Sequence, residues 1–433
     1  MARRSLPADD LVPRRVRRPV AAVIGLGVVL LILIAATVMS QPWRSQAGAT
    51  MRPPEGEAAG DEAAGAPERG PLSSLPGTLP GFSTRTAWTA EVAQWTKVAV
   101  RDTVVATRDG EGRIIHVDPG KGTVTHRGGS RWGAEWDGPW LTHIDGRKVL
   151  ALASASALAY WPASPAPDQE ASGPDRSRRQ VAEVPEPRRI VLPAGAKVTW
   201  TGTAPLVTAG AAVWLVNEGA LSRVPIPPKA RALAADGPAV VAVLAGTWIR
   251  ATATGFQAHA VPPPPGALGP PARMVDIAGR YLLTVWARKG NDPQKISLVD
   301  TQTAKILIND AVPAGADITQ AGVTRQVSGS ITAVGQVVVD PGVRRISSLL
   351  AQYTPISLVE GHVYAMNRDP ANAPQEIVDI VPKRPSGFSV LSLEKNTPVP
   401  FALVTPGRKP LALTIAPSGS QWYLAAVRTA GEK

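Results

Sequence analysis

From about residue 86 onward, short apolar runs alternate with Gly, Pro, Asn and Asp, and a helical period of 3.6 is nearly absent. Runs at 98–107, 113–117, 148–160, 211–216, 240–251, 281–287, 296–299, 336–339, 362–366, 388–393 and 422–427 are rich in Val, Ile, Leu and Ala. Turn residues break them at regular spacing, which predicts an all-β fold of many short strands: a sandwich, a barrel or a propeller.

Repetition within the chain decides among these. Ile115-His116-Val117-Asp118-Pro119-Gly120 and Val337-Val338-Val339-Asp340-Pro341-Gly342 share one shape, and Ser297-Leu298-Val299-Asp300-Thr301-Gln302-Thr303 and Ser392-Leu393-Glu394 echo it. Turn positions at Asp118, Trp161, Asn217, Ala251, Asp300, Asp340 and Glu394 recur at a mean step of about 46 residues, the length of a four-stranded propeller blade. A single blade cannot bury both its faces, so such units stack round an axis. The pattern predicts about seven blades over 86–430, closed by pairing near 88–100 with 422–427. The recurring Asp118, Asp300 and Asp340 are turn formers in this reading, not catalytic carboxylates.

Two motifs carry a family resemblance. Leu298-x-Asp300-x-x-Thr303-Ala304-Lys305 resembles the Leu-x-Asp-x-x-Thr-Gly-Lys turn of quinoprotein-like propeller repeats. Ala416-Pro417-Ser418-Gly419-Ser420-Gln421-Trp422-Tyr423 resembles the Ser-Pro-Asp-Gly-Lys-x-Leu-Tyr hairpin of WD-like and lactonase-like propellers. The resemblance implies a propeller fold. Leu307 and Ile308 stand where quinoprotein repeats carry a docking Trp, so no quinone cofactor is expected.

The N-terminal part has a different pattern. Residues 20–39 form an apolar run without a charge. As a helix at about 1.5 Å per residue it spans roughly 30 Å, the hydrocarbon thickness of a bilayer. Six Arg lie among residues 1–19, which predicts a cytoplasmic basic tail, a transmembrane helix at 20–40 and an extracytoplasmic body. The rival is a cleaved signal peptide, whose apolar region is about 7–15 residues and ends in a small-residue site. Thr37-Val38-Met39-Ser40 is a poor one. Residues 41–85, rich in Ala, Gly, Pro and Glu, read as a flexible tether, and 162–189 as a disordered insertion loop carrying Arg176, Arg178, Arg179, Arg188 and Arg189.

Composition narrows the chemistry. The chain lacks Cys, which removes disulfides, thiolate metal sites and a Cys nucleophile. The net charge of +12 includes +4 from residues 1–19, and the excess over 81–433 forms no dense basic stripe, so no nucleic-acid partner is expected. His116, His126, His143, His259 and His362 show no metal-ligand spacing, although His116 and His126 fall on adjacent strands of one hairpin. No metal, cofactor or catalytic residue is assigned.

Trp132, Trp136 and Trp140 lie four apart, but Gly133, Gly138 and Pro139 exclude a helix. They are the candidate partner contacts: a loop of indoles stacks on sugar rings or a peptide, with Glu135 and Asp137 nearby for polar groups. The alternative for them is packing between blades. The expected function is a binding or scaffold module anchored in the cytoplasmic membrane of a bacterium through 20–39. It would meet an envelope protein or polymer in envelope assembly, secretion or conjugation machinery. The alternative is a propeller enzyme of quinoprotein-like or lactonase-like type.

Overall fold

The computed structural model describes residues 72–429, apart from 95, 164–181, 288–289, 291, 313–317, 328, 351, 360, 368–375, 383–387, 395 and 408–409. The expected basic tail, the apolar segment 20–39 and most of the expected tether lie outside the described residues. Among the described residues, no helix is long and apolar enough to cross a membrane.

The described residues form an eight-bladed β-propeller. Seven four-stranded sheets and one five-stranded sheet follow each other round the ring. Blade 1 spans 99–131, with the short strand Ala182–Val184 added in parallel to its outer edge. Blade 2 takes 137–162 and the strand Arg188–Val191. Blades 3 to 7 follow at 197–223, 231–260, 268–311, 323–348 and 353–392. Within each, the chain runs from the innermost strand outward through antiparallel hairpins.

Blade 8 closes the ring. Ala402–Val404, Leu411–Ser418 and Gln421–Thr429 supply three strands, and Phe82–Val92 from the far end of the chain supplies the outermost one. In that pairing Trp88 lies opposite Ala426 and Val92 opposite Trp422. The expected closure is therefore present for 88–92, whereas Ala99–Arg101 begins blade 1.

The expected count of about seven blades is corrected to eight, and closure is the reason. Six of the seven turn positions fall at or beside the end of a blade's third strand, where the chain turns to the fourth. Blade 8 has no such link, because its fourth strand is Phe82–Val92. A ring of eight blades therefore has seven such links. Glu394, the last turn position, lies after the outer strand Phe388–Ser392 of blade 7 rather than within a third-to-fourth link.

Packing follows the same arithmetic. Eight clusters of buried apolar side chains occupy the eight seams between neighbouring blades. The seam of blades 8 and 1 joins Leu413 and Leu424 to Val100, Val105 and Ile115. That of blades 4 and 5 holds Trp248 and Trp286. Each sheet is sandwiched, so its second and third strands are buried on both faces. Residues 149–153 of the strand Arg147–Ala153 accordingly form a continuous buried run, while the outer Val124–Arg131 alternates.

The described residues include packed structure ahead of the expected boundary at 86. Leu72, Leu75 and Leu79 are buried with Phe82 in the seam of blades 7 and 8. Leu75 N–H donates to the Thr84 carbonyl at 2.9 Å, and Thr86 N–H to that of Ser73 at 3.2 Å. The stretch expected as an insertion at 162–189 likewise ends in structure, at Ala182–Val184 and at Arg188–Val191.

Candidate functional site

The three tryptophans singled out in the sequence have different surroundings. Trp132 is buried in the seam of blades 1 and 2. Trp136 and Trp161 meet it edge to face, with ring centroids 4.7 and 5.3 Å away. The Arg189 guanidinium lies 5.1 Å from the Trp132 ring, a cation–π arrangement. Arg108 fixes the loop from below, donating to the Gly133 carbonyl at 2.9 Å and the Trp132 carbonyl at 3.4 Å. Trp132 is thus a seam residue, Trp136 half-buried against it, and the two do not form one exposed surface with Trp140.

Trp140 belongs to a second group, which joins three blades. It lies on the inner strand Asp137–Ile144 of blade 2 and stacks on Trp200, which follows the inner strand Lys197–Thr199 of blade 3. Their centroids are 5.7 Å apart and the planes 17° from parallel. Both indoles donate to Asp137 Oδ2, at 3.0 Å from Trp140 Nε1 and 3.2 Å from Trp200 Nε1. Lys97, just before the inner strand of blade 1, donates to Asp137 Oδ1 at 2.6 Å, with Nζ 4.1 Å from the centre of the Trp140 ring. Asp137 and Lys97 are each nearly half exposed, so the cluster is reachable from solvent.

A bulge builds this geometry. Residues three apart on a regular strand point to opposite faces. Here Asp137 pairs with Ala153 and Trp140 with Ala151, so the inner strand has one extra residue. The extra residue returns the carboxylate to the indole's side. Gly138-Pro139 in a strand is the local signal for such a bulge. No local signal marks Trp200 or Lys97.

A second polar cluster lies at the ends of the inner strands of blades 4 and 5. Asp236 accepts from Arg250 Nη1 at 2.9 Å and from Gln302 Nε2 at 3.1 Å. Asp276 accepts the Gly279 N–H at 3.0 Å, and Arg325 of blade 6 lies 3.7 Å away while donating to the Asp276 backbone carbonyl at 3.0 Å. Burial pushes the Asp276 carboxyl up to about 7, against the pull of Arg325 and Gly279; nearby Asp236 adds to the rise. A buried carboxyl that titrates near neutrality is the kind of group that active sites use.

The recurring aspartates are turn formers, as the repeat implied. Asp118 Oδ1 accepts from the N–H groups of Gly120 and Lys121 at 2.8 and 3.2 Å. Asp300 Oδ1 does so from Gln302 and Thr303 at 2.8 and 3.3 Å, and Asp340 Oδ1 from Gly342 and Val343 at 3.0 and 3.4 Å. In each, the fourth residue after the Asp has positive φ: Gly122 at 71°, Ala304 at 56° and Arg344 at 52°. The Gly of the quinoprotein-like turn answers that backbone requirement.

Each histidine has a ring or polar neighbour. His143 donates from Nδ1 towards the Thr203 carbonyl at 3.2 Å, His259 stacks on Trp248 at 4.2 Å, and His362 lies 3.0 Å from the buried carboxylate of Asp379. His116 and His126 face each other, with centroids 5.9 Å apart. Burial, and then His126, hold the pKa of His116 down to about 4. Among the described residues, no three His, Asp or Glu side chains stand close enough together to hold a metal ion.

No protein-family model matches this chain, and no curated protein matches it. Solved structures do. A computationally designed protein, Ika8, is 12% identical, covers 79% of this chain and 98% of its own, and has a TM-score of 0.40. The WD40 domain of SCAP from fission yeast is 10% identical over 79% of this chain and 97% of that one, with a TM-score of 0.41. BamB from Moraxella catarrhalis is 14% identical over 80% of this chain and 98% of its own, with a TM-score of 0.30. The blade count and closure rest on this chain's own strand pairing.

Proposed function

We propose that this chain is a binding or scaffold module, held at the outer face of a bacterial cytoplasmic membrane through residues 20–39. Its partner in this reading is a protein or polymer of the cell envelope. One observation carries the binding part: the solvent-reachable cluster of Trp140, Trp200, Asp137 and Lys97, assembled from three blades. Stacked indoles offer large contact area with few rotamers to freeze, and a carboxylate and an ammonium beside them select polar groups. The apolar segment and the Arg-rich residues before it support the membrane part. The composition of 41–71 suits a tether with a reach on the order of 30 Å.

Capture from solubilised envelope and binding to isolated wall polymers test the reading, with the full chain in detergent micelles. Trp200→Ala and Lys97→Ala should weaken capture at least tenfold with the melting transition retained. Unchanged capture would remove the cluster from the reading. Protease added to cells stripped of their wall should digest 86–433, and full protection there would remove the membrane orientation.

The Asp236–Asp276–Arg325 cluster favours the second reading, a propeller enzyme of quinoprotein-like or lactonase-like type. Turnover of a lactone, sugar or alcohol by the purified chain, lost in Asp276→Asn, would establish it in place of the first.

A further inference from the structure

We propose that His116 and His126 form a binding site for a divalent transition-metal ion of the Zn2+ or Cu2+ class, held through Nε2 of both rings. The site stands apart from the Trp140–Trp200 cluster and does not depend on the function proposed for it.

Register brings the two together. His116 on Arg113–Val117 and His126 on Val124–Arg131 are direct cross-strand partners in blade 1. Their rings meet edge to face at 72°. Two imidazoles on one tetrahedral ion, with metal–nitrogen bonds of about 2.0–2.1 Å, put their centres roughly 5 Å apart. The observed centroid separation of 5.9 Å is within about 1 Å of that value.

Hydrogen bonding sets the tautomer. Thr125 Oγ1 donates its proton to the His116 carbonyl at 3.3 Å. The same oxygen lies 3.1 Å from His126 Nδ1. A hydroxyl has one proton, so it accepts from His126 Nδ1–H. The neutral ring then carries its free lone pair on Nε2, the ligand form. Orienting a ligand imidazole through its other nitrogen is how protein metal sites are commonly supported.

His116 supplies the second donor. It is 6% exposed, and its Nε2 has no hydrogen-bond partner in the structure. A packed histidine would leave this buried nitrogen unsatisfied, whereas a metal ion satisfies it. Imidazole suits Zn2+, Cu2+ and Ni2+ and not the oxygen-seeking Mg2+ or Ca2+. Two protein ligands leave positions for water, so the ion is exchangeable and open to a further ligand.

Titration of the tag-free full chain in detergent with ZnCl2, followed by calorimetry, tests the site; electron paramagnetic resonance with Cu2+ reads the donor atoms. One equivalent should bind saturably, with nitrogen hyperfine structure from two imidazoles. His126→Ala should weaken binding more than tenfold and reduce the nitrogen signal, whereas His259→Ala should leave both unchanged. Thr125→Val, at an exposed position on the outer strand, should weaken binding about tenfold through the lost tautomer control. Absence of saturable binding, or binding that His126→Ala leaves intact, would overturn the site. Should His126→Ala fail to fold, unaltered affinity in Thr125→Val would do so.

Discussion

Trp140 and Trp200, 60 residues apart in sequence, stack their indoles and share one acceptor oxygen of Asp137. Trp132, only eight residues before Trp140, faces a different seam and is 5% exposed. Two tryptophans close in sequence thus have different work, and their replacement should cost differently. Trp132→Ala empties the seam of blades 1 and 2 and should cost about 3–5 kcal/mol. Trp140→Ala removes a half-buried stacked partner, worth about 0.5–1.5 kcal/mol beyond its area. Denaturant unfolding of both variants measures the order; equal costs would refute the assignment of Trp132 to the core.

Asp276 predicts a pH dependence. Its carboxyl is raised from 3.8 to about 7 in the folded chain. Between those values the folded state holds a proton that the unfolded state has released. Asp276 therefore contributes stability fully below pH 3.8, and that contribution is lost as pH rises to about 7. Asp276→Asn keeps an acceptor for Gly279 and removes the titration. Its melting temperature relative to wild type should rise between pH 5 and 8. A constant difference across that range would show that Asp276 does not titrate there.

Ala304 has φ of 56° at the position where Asp118's turn has Gly122. A left-handed conformation costs an L-residue about 1–2 kcal/mol, against an entropic penalty of about 0.4–1 kcal/mol for glycine in the unfolded chain. Ala304→Gly should therefore stabilise by roughly 0.5–1 kcal/mol, read as a rise in the thermal midpoint. A fall would mean that the methyl group packs usefully in this turn.

Ring closure predicts the effect of truncation. A chain ending at Ala416 loses Gln421–Thr429, which pairs with both Leu411–Ser418 and Phe82–Val92. Blade 8 then has no third strand, and its outer strand has no neighbour. Sheet edges and two apolar seams open together. The truncated chain should lose its cooperative melting transition. Retention of the full-length transition would show that the ring does not need its C-terminal strand.

The blade rhythm was legible in the sequence because each blade solves the same local problem. Asp118, Asp300 and Asp340 mark hairpins whose side chains bond the next two turn N–H groups, an interaction complete within a few residues. The eighth blade left no such mark, since its outer strand comes from residues 82–92 and pairs across the whole length of the ring. The candidate site divides in the same way. Trp132, Trp136, Trp140 and Asp137 stand out in sequence, where Gly138 and Pro139 exclude a helix but do not by themselves give the bulged strand. Whether an indole lies in a seam or towards solvent depends on the strands packed against it, and Trp200 and Lys97 arrive from other blades. Local hydrogen bonding and turn chemistry were therefore set by sequence alone, while blade number, burial and the grouping of distant side chains were decided by how the sheets pack around the ring.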